Sequence, residues 1–270
     1  MHGMNLSPRL QGDRNFILWR TLVAQDLAVR YRGTLLGRAW PLLMPLIMLA
    51  MYGFVFGVVF RSRWPGLAPD DHLGYALNLF LGLLLHTLLA ESVGQSPLLM
   101  QSNSNFVRKV VFPLPVLVGV PLGSALFHMF LGVLLVCTVA AVWGPGVHPT
   151  LLLMPLVLLP YLAMLYGLSL CFAALGVYIR DLGQLISVLV AMLLFTSTVL
   201  FSRSAVPAKL AVVVDVNPIS WPVNSLREVV LLGQVPALHG TLIYTAVATL
   251  VLLVGAWVFK TLRPGFADVL

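Results

Sequence analysis

The sequence predicts an all-α integral membrane protein with six transmembrane helices. Of the 270 residues, 60% are hydrophobic and 9% are charged, whereas a soluble domain carries roughly a quarter charged residues. The apolar residues are gathered into blocks of about 17 to 30, and a helix needs about 20 residues to cross the hydrocarbon layer. Lysines and arginines flank these blocks instead of forming one basic face. This pattern indicates a bilayer-spanning chain and argues against a nucleic-acid-binding domain.

The N-terminal residues 1–38 are predicted to lie in the cytoplasm and to contain an interfacial helix. They carry six arginines, and the first long apolar block follows them without the cleavage site of a signal peptide. Within residues 13–32, most charged side chains avoid one stripe of the helical wheel, which carries Phe16, Trp19, Val23 and Leu27. We expect such a helix to lie along the membrane surface with its apolar stripe in lipid, or to dock a soluble partner.

Six apolar blocks form a predicted transmembrane domain over residues 39–260, and residues 261–270 follow as a cytoplasmic tail. The predicted spans are 39–60, 73–92, 114–143, 151–178, 185–201 and 241–259. With the N-terminus in the cytoplasm, the cytoplasmic segments hold eleven of the 16 lysines and arginines, and the outer segments hold five. Because this asymmetry follows the positive-inside rule, both termini are predicted to be cytoplasmic.

The segment between the fifth and sixth spans, residues 202–239, is predicted to hold short re-entrant helices. Its apolar stretches 210–214 and 229–232 are too short to span, and Asn217-Pro218 and Trp221-Pro222 separate them. Helices that dip partway into the membrane fit this pattern, because irregular backbone at that depth has to be buried in protein or face water. A loose external loop is the alternative.

The chain carries no motif for nucleotide binding. A phosphate-binding loop has a Gly-rich stretch before its lysine, and none of the three lysines, Lys109, Lys209 and Lys260, has that setting. Any ATPase must therefore be a separate subunit, and no metal or cofactor site is predicted in this chain. The ionisable residues inside the predicted spans, His86, Glu91 and His128, fit helix packing or solvation as well as a proton relay.

A membrane-embedded enzyme is a competing class. Gly167-Leu168-Ser169-Leu170, in the fourth predicted span, resembles the serine motif of rhomboid intramembrane proteases. Such an enzyme needs a histidine base within hydrogen-bond reach of its serine. The nearest candidate, His239, lies at the outer end of the sixth span, roughly 27 Å from Ser169 at 1.5 Å per residue. The sequence therefore indicates no catalytic pair.

Three motifs resemble the ABC-2 type permeases of polysaccharide-export ABC transporters. Residues 30–40, running into Pro41 and Pro45, are similar to the start of the first span in that family. Residues 103–113 resemble its cytoplasmic loop between spans two and three, and residues 177–183 the turn after span four. Further matches follow in the family's order across the outer segment, at Val206-Pro207, Asn217-Pro218, Arg227 and Gly233. The resemblance covers nearly the whole chain and is greatest to the lipopolysaccharide O-antigen exporters (Wzm-like).

The resemblance implies a homodimer that pairs with two copies of a cytoplasmic ABC ATPase. It further implies that ATP and Mg are bound by the ATPase alone, and that the pair moves undecaprenyl-linked polysaccharide outward across the bacterial inner membrane. Two related alternatives stay open: an ABC-2 permease for a small amphiphile or drug, and a teichoic-acid or capsule exporter.

Two cytoplasmic elements are candidates for coupling to the ATPase, because family resemblance coincides there with basic charge. One is the end of the predicted interfacial helix, and the other is the basic loop around residue 107. The coupling candidates are Arg30, Tyr31, Arg32, Asn105, Arg108 and Lys109. The alternative reading makes them topological anchors at the membrane surface.

Aromatic residues in and after the first span are candidates for the sugar path. A sugar stacks its C–H face on an aromatic ring without requiring one hydrogen-bond pattern, which leaves a polymer free to slide. The candidates are Tyr52, Phe54, Phe56, Phe60 and Trp64. The alternative is that these rings face lipid or the protein core.

Overall fold

Five segments of the computed structural model are long and apolar enough to cross a membrane. The structure describes residues 8–34, 36–59, 64, 67–68, 71–108, 112–144 and 146–270, and within these ranges the backbone forms helices and no strands. The five segments are Trp40–Gly57, His72–Ser102, Leu114–Trp143, Pro149–Tyr178 and Leu238–Val269. They confirm the predicted class of an all-α membrane protein.

The helices are numbered in chain order. Their bounds are α1 Pro8–Tyr31, α2 Trp40–Tyr52, α3 His72–Val93, α4 Ser96–Ser102, α5 Ser104–Arg108, α6 Leu114–Trp143, α7 Met154–Tyr178, α8 Leu182–Phe195, α9 Ala211–Val216, α10 Ser220–Arg227, α11 Leu238–Leu262 and α12 Phe266–Val269. Two of them, α2 and α10, continue as π-helices over Gly53–Val59 and Glu228–Leu232. π-Helical turns are rare and occur frequently at functional sites.

Helix α8 is shorter than the fifth predicted span, 185–201. Its 14 residues extend about 21 Å at 1.5 Å per residue, less than the roughly 30 Å of a hydrocarbon core. The helix ends at Phe195, and the hydroxyls of Thr196 and Ser197, which follow it, donate to carbonyls of its last turn. The count of six spans therefore stays a prediction.

Helix α1 packs along α6 at two glycines. The Trp19 indole donates a 2.8 Å hydrogen bond to the Gly119 carbonyl. A Cβ at Gly123 would lie 2.6 Å from the side chains of both Trp19 and Val23, so glycine is needed for this close approach. Phe16, from the same predicted stripe, is 60% exposed. Part of the stripe is thus buried against protein, and the position of α1 along the membrane surface stays a prediction.

Helix α3 lies at the centre of the fold. It contacts α6, α7, α8 and α10, and one row of its side chains is fully buried: Leu77, Leu81, Leu85 and Leu88. Elsewhere, α7 and α11 approach so closely that a Cβ at Gly255 would overlap the carbonyl oxygen of Gly167. Small residues allow this backbone contact between membrane helices.

The 211–232 segment, which comprises α9, α10 and the following π-helix, is folded onto the rest of the chain. Helix α10 packs against α3 and α7, and its Val223 and Leu226 are completely buried. Trp221 stacks on Tyr244 of α11 with ring centroids 4.5 Å apart. This packing contradicts a loose external loop, while re-entry of the segment into the membrane stays a prediction.

Candidate functional site

A polar cluster joins α1 to α3 and α6 near the end of α3. We call it the Glu91 cluster; its members are Asp26, Arg30, Tyr31, Glu91, Ser124 and His128. Arg30 Nη1 lies 3.0 Å from Glu91 Oε2, and Arg30 Nε lies 3.1 Å from Asp26 Oδ2. Arg30 therefore bridges a carboxylate on its own helix and one on α3.

Helix α6 completes the Glu91 cluster. The Ser124 hydroxyl donates to Asp26 Oδ2 at 2.7 Å, and the Tyr31 hydroxyl lies within hydrogen-bond distance of His128 Nε2, at 2.7 Å. His128 Nδ1 lies 3.5 Å from Glu91 Oε2. Burial raises the pKa of the Tyr31 hydroxyl above its usual range, so this phenol stays a neutral hydrogen-bonding group. The cluster ties three helices together.

The charges of the Glu91 cluster are only partly open to solvent. The side chains of Arg30 and Glu91 are 29% and 24% exposed. Removing one partner from such a pair leaves a poorly solvated charge, which costs more than the loss of a surface ion pair. The cluster therefore fixes the position of α1 on α3 and α6 more firmly than surface charges could.

The predicted coupling residues divide into two groups. The side chains of Arg30 and Tyr31 turn inward and belong to the Glu91 cluster, whereas Arg32 is exposed. Asn105 and Arg108, on the short helix α5, are also exposed. Lys109 lies outside the described residues. The exposed group is free to contact another protein, and the inward group connects α1 to the spans.

Two cavities separate α2 from this packed body. The larger, about 620 Å³, is lined by Leu27, Ala28, Tyr31, Arg32, Gly37, Pro41 and Phe127. The smaller, about 270 Å³, lies beside the Glu91 cluster and is lined mainly by apolar side chains of α2, α3 and α6, among them Met44, Met48, Phe80 and Met129. Tyr31 and Pro41 line both cavities. Helix α2 thus borders both cavities.

A second polar centre surrounds Arg227, at the end of α10. Its side chain is only 3% exposed, yet three of its nitrogens donate to backbone carbonyls. Nε donates to Asn78 at 2.9 Å, Nη1 to Thr198 at 2.6 Å and Nη2 to Val199 at 2.8 Å. The guanidinium carbon also lies 4.4 Å from the centroid of the Trp64 ring. This arrangement satisfies a buried cation with dipoles and a π-face.

The aromatic residues predicted for the sugar path are only partly accessible. Phe56 and Tyr75 are stacked with centroids 6.2 Å apart, and Tyr75 meets Trp64 edge-on at 5.7 Å. Tyr52, Phe56 and Trp64 are partly buried, whereas Phe54 is 61% exposed. Phe60 lies outside the described residues. Phe54 therefore offers the most open ring face among the described candidates.

Sequence reasoning missed the partners of these centres. It assigned Glu91 no specific partner, did not single out Tyr75, and noted Arg227 only through the family resemblance. Some signals were present. Asp26 and Arg30 stand four residues apart, which places both on one helix face, and Gly119 and Gly123 have the same spacing. The pairing of α1 with α6 is a long-range contact that spacing within one helix does not reveal.

The serine of the competing enzyme hypothesis has no assembled catalytic partner. Ser169 is buried in α7, and its hydroxyl has no hydrogen-bond partner among the described residues. A nucleophilic serine needs a base within hydrogen-bond distance. The described part of the chain gives the protease motif no such base.

The helical membrane fold and the sequence define the chain as a transporter permease. Residues 17–231, which include both polar centres, match the family model described as ABC-2 type transporter, and the chain belongs to that family, whose members lack an ATPase site of their own. Two proteins of Klebsiella pneumoniae, each named O-antigen export system permease protein RfbA, are 25% identical to it over 262 residues, 94% of this chain and 95% of theirs. A protein of the same name from Myxococcus xanthus is 26% identical over 250 residues, 92% of this chain and 93% of its own.

Proposed function

We propose that this chain is the transmembrane subunit of an ATP-driven exporter that moves lipid-linked O-antigen polysaccharide outward across the bacterial inner membrane. The observation that carries the proposal is the similarity, over more than nine-tenths of the chain, to permeases named for O-antigen export. In this proposal a separate ABC ATPase hydrolyses ATP and binds its Mg, and the lack of a phosphate-binding loop in the sequence supports that division.

The proposed assembly is a homodimer with two copies of the ATPase. Six helices form a thin wall for a polymer-sized pore, and two copies around one axis are the simplest way to enclose it. Both termini are cytoplasmic in this proposal, since the basic residues are concentrated in the corresponding segments. The fifth span then consists of α8 with the residues that follow it, and the 211–232 segment dips into the membrane from outside.

In the proposed coupling, one group of residues docks the ATPase and another group transmits its movement to the membrane helices. Exposed Arg32, Asn105 and Arg108, together with Lys109, contact the ATPase in this proposal. Arg30 and Tyr31 then transmit a movement of α1 to α3 and α6, because both side chains are bound into the Glu91 cluster. Helix α2 moves separately in this proposal, and the two cavities beside it support that assignment.

The proposed sugar path runs along the aromatic side of α2 and its π-helix, and comprises Tyr52, Phe54, Phe56, Phe60 and Trp64. The open ring of Phe54 supports a direct sugar contact at that position. The partly buried rings of Phe56 and Trp64 support the path by packing on Tyr75.

Deletion of the gene in its host tests the proposed function. We expect undecorated lipid A–core at the cell surface and polysaccharide trapped inside the cell, both reversed by a plasmid copy of the gene. A gel of lipopolysaccharide, with immunodetection of the polysaccharide in intact and lysed cells, separates the two locations. Normal surface polysaccharide together with a changed sensitivity to amphiphilic drugs would favour the small-amphiphile permease instead.

A further inference from the structure

Arg227 joins four separate parts of the chain. It belongs to α10, donates to Asn78 of α3 and to Thr198 and Val199 beyond the end of α8, and faces the ring of Trp64, which follows α2. These contacts meet at a fully buried guanidinium. We infer that Arg227 is the positioning residue that closes the 211–232 segment over the ends of the spans and sets the place of Trp64.

The buried charge makes this closure cooperative. Among the described residues, no carboxylate forms an ion pair with Arg227. Its hydrogen bonds to carbonyls and its contact with the indole face compensate for lost hydration. The Thr198 and Val199 carbonyls are available because α8 ends at Phe195. If any one of the four parts moves away, this buried guanidinium loses a contact.

Lysine cannot reproduce the arrangement. The guanidinium is a planar fork with five N–H donors that also stacks on rings, whereas an ammonium is a compact point charge. The carbonyls of Asn78, Thr198 and Val199 come from different elements, and three different nitrogens of Arg227 reach them. The shape of arginine, and not only its charge, is therefore required.

Gly82 on α3 supplies the space for the guanidinium. A Cβ at this position would lie 2.8 Å from Arg227 Nη2 and 3.1 Å from the Val199 Cα. Neither neighbour can move aside easily, because hydrogen bonds hold the Arg227 guanidinium and the Val199 Cα is part of the backbone. Gly82→Ala therefore disturbs the same closure from the opposite side without changing any charge.

Thiol accessibility measures the closure directly. In a Cys137→Ser, Cys171→Ser background, Ser225→Cys places a thiol at a buried position of α10. The purified chain in nanodiscs, with both faces accessible, is treated with a hydrophilic maleimide. We expect Arg227→Met, Arg227→Lys and Gly82→Ala each to accelerate labelling by about tenfold or more, because contacts of a buried charged group are lost.

Arg203→Met is the matched control, since Arg203 is an exposed arginine that pairs with Asp215 near the same segment. We expect its labelling rate to equal that of the background. The inference is overturned if labelling in Arg227→Met stays at the background rate. If that variant does not reach the membrane, a background labelling rate in Gly82→Ala overturns it instead.

The labelling needs neither ATPase nor polysaccharide, so it stands apart from the proposed function. The inference rests on that function only where Trp64 is assigned to the sugar path. Accelerated labelling together with normal surface polysaccharide in the gene deletion would leave the closure established and refute the exporter. Unchanged labelling together with trapped polysaccharide would refute the closure and support the exporter.

Discussion

At the scale of single residues, two charged side chains are stabilised within an apolar fold by different kinds of partner. Glu91 pairs with Arg30 and approaches His128, whereas Arg227 relies on backbone carbonyls and an indole ring. The sequence shows that Glu91 falls inside a span and therefore needs a partner. It does not name that partner, because the choice depends on how α1 folds back onto α3 and α6.

Glu91→Gln is expected to destabilise the protein. The change leaves Arg30 with Asp26 alone, and a partly buried ion pair that loses one charge costs about 1–2 kcal/mol after allowance for solvent screening. Thermal unfolding in detergent at neutral pH measures the effect. Asp215→Asn, at an exposed ion pair, serves as the control and should change the midpoint much less. An unchanged midpoint in Glu91→Gln would show that the cluster does not hold α1.

Glu228→Gln is expected to stabilise the protein, in contrast to Glu91→Gln. Burial raises the pKa of the Glu228 carboxyl, so the folded state holds the proton more tightly than the unfolded state. The ionised carboxylate is then a penalty present at neutral pH, and it disappears as the pH falls below the unfolded-state value near 4. We expect a higher unfolding midpoint than wild type at pH 7 and no difference near pH 4. A lower midpoint at pH 7 would contradict the assignment.

At the scale of elements, helix positions were predicted well, and helix partners were not. The long apolar blocks became α3, α6, α7 and α11 with nearly the predicted bounds. In the fifth block, α8 ends at Phe195, and three hydroxyl residues, Thr196, Ser197 and Thr198, follow it. An apolar stripe on α1 can pack against lipid or against protein. Its helical pattern alone therefore could not assign Trp19 and Val23 to the contact with α6.

Gly123→Ala tests the packing of α1 on α6. The added methyl would lie within 2.6 Å of Trp19 and Val23, and overpacking of this kind costs about 1–3 kcal/mol. We expect faster proteolysis of α1 in nanodiscs and a lower unfolding midpoint. Gly53→Ala, whose new Cβ would meet Ala76 at an ordinary 3.5 Å, is the control. Equal protection of α1 in both variants would contradict the proposed rigid contact.

Phe54→Ala tests the sugar path on the π-helix that extends α2. The Phe54 ring is the most open of the described candidates. Its loss should reduce export severalfold at unchanged protein level, if stacking of a sugar on the ring contributes on the order of an aromatic pair, about 0.5–1.5 kcal/mol. Surface polysaccharide relative to membrane-bound permease gives the measurement. Val59→Ala, also on the exposed side of the π-helix, is the control. Wild-type export in Phe54→Ala would remove this residue from the path.

At the scale of the whole molecule, α1, α3 and α6 form a connected body, and the proposed ATPase contacts are exposed residues just after α1, at Arg32, and on α5, at Asn105 and Arg108. Composition and hydropathy sufficed to predict a helical membrane protein, and the motifs that resemble the family predicted an ABC-2 permease. The division of the coupling residues into an exposed group and the inward pair Arg30 and Tyr31 required the folded contacts, because all of these residues belong to the same basic stretches in the sequence.

Arg108→Glu tests docking of the ATPase. Reversal of an exposed charge at a proposed interface should reduce copurification of the ATPase several-fold, since like charges brought together at an interface disfavour binding. Arg203→Glu, an exposed arginine on the opposite side of the membrane in the proposed topology, should leave copurification intact. Equal ATPase recovery and normal export in both variants would exclude Arg108 from docking.

ATP-dependent translocation in inside-out vesicles tests the central proposal most directly. Vesicles that contain this chain and its ATPase are supplied with undecaprenyl-linked polysaccharide on the cytoplasmic face, and a polysaccharide-degrading enzyme is added outside after ATP. We predict that polymer becomes protected inside the vesicles only with ATP, with this chain, and with an ATPase whose phosphate-binding lysine is intact. Protection no greater than in vesicles without this chain would contradict its role as the exporter's membrane subunit.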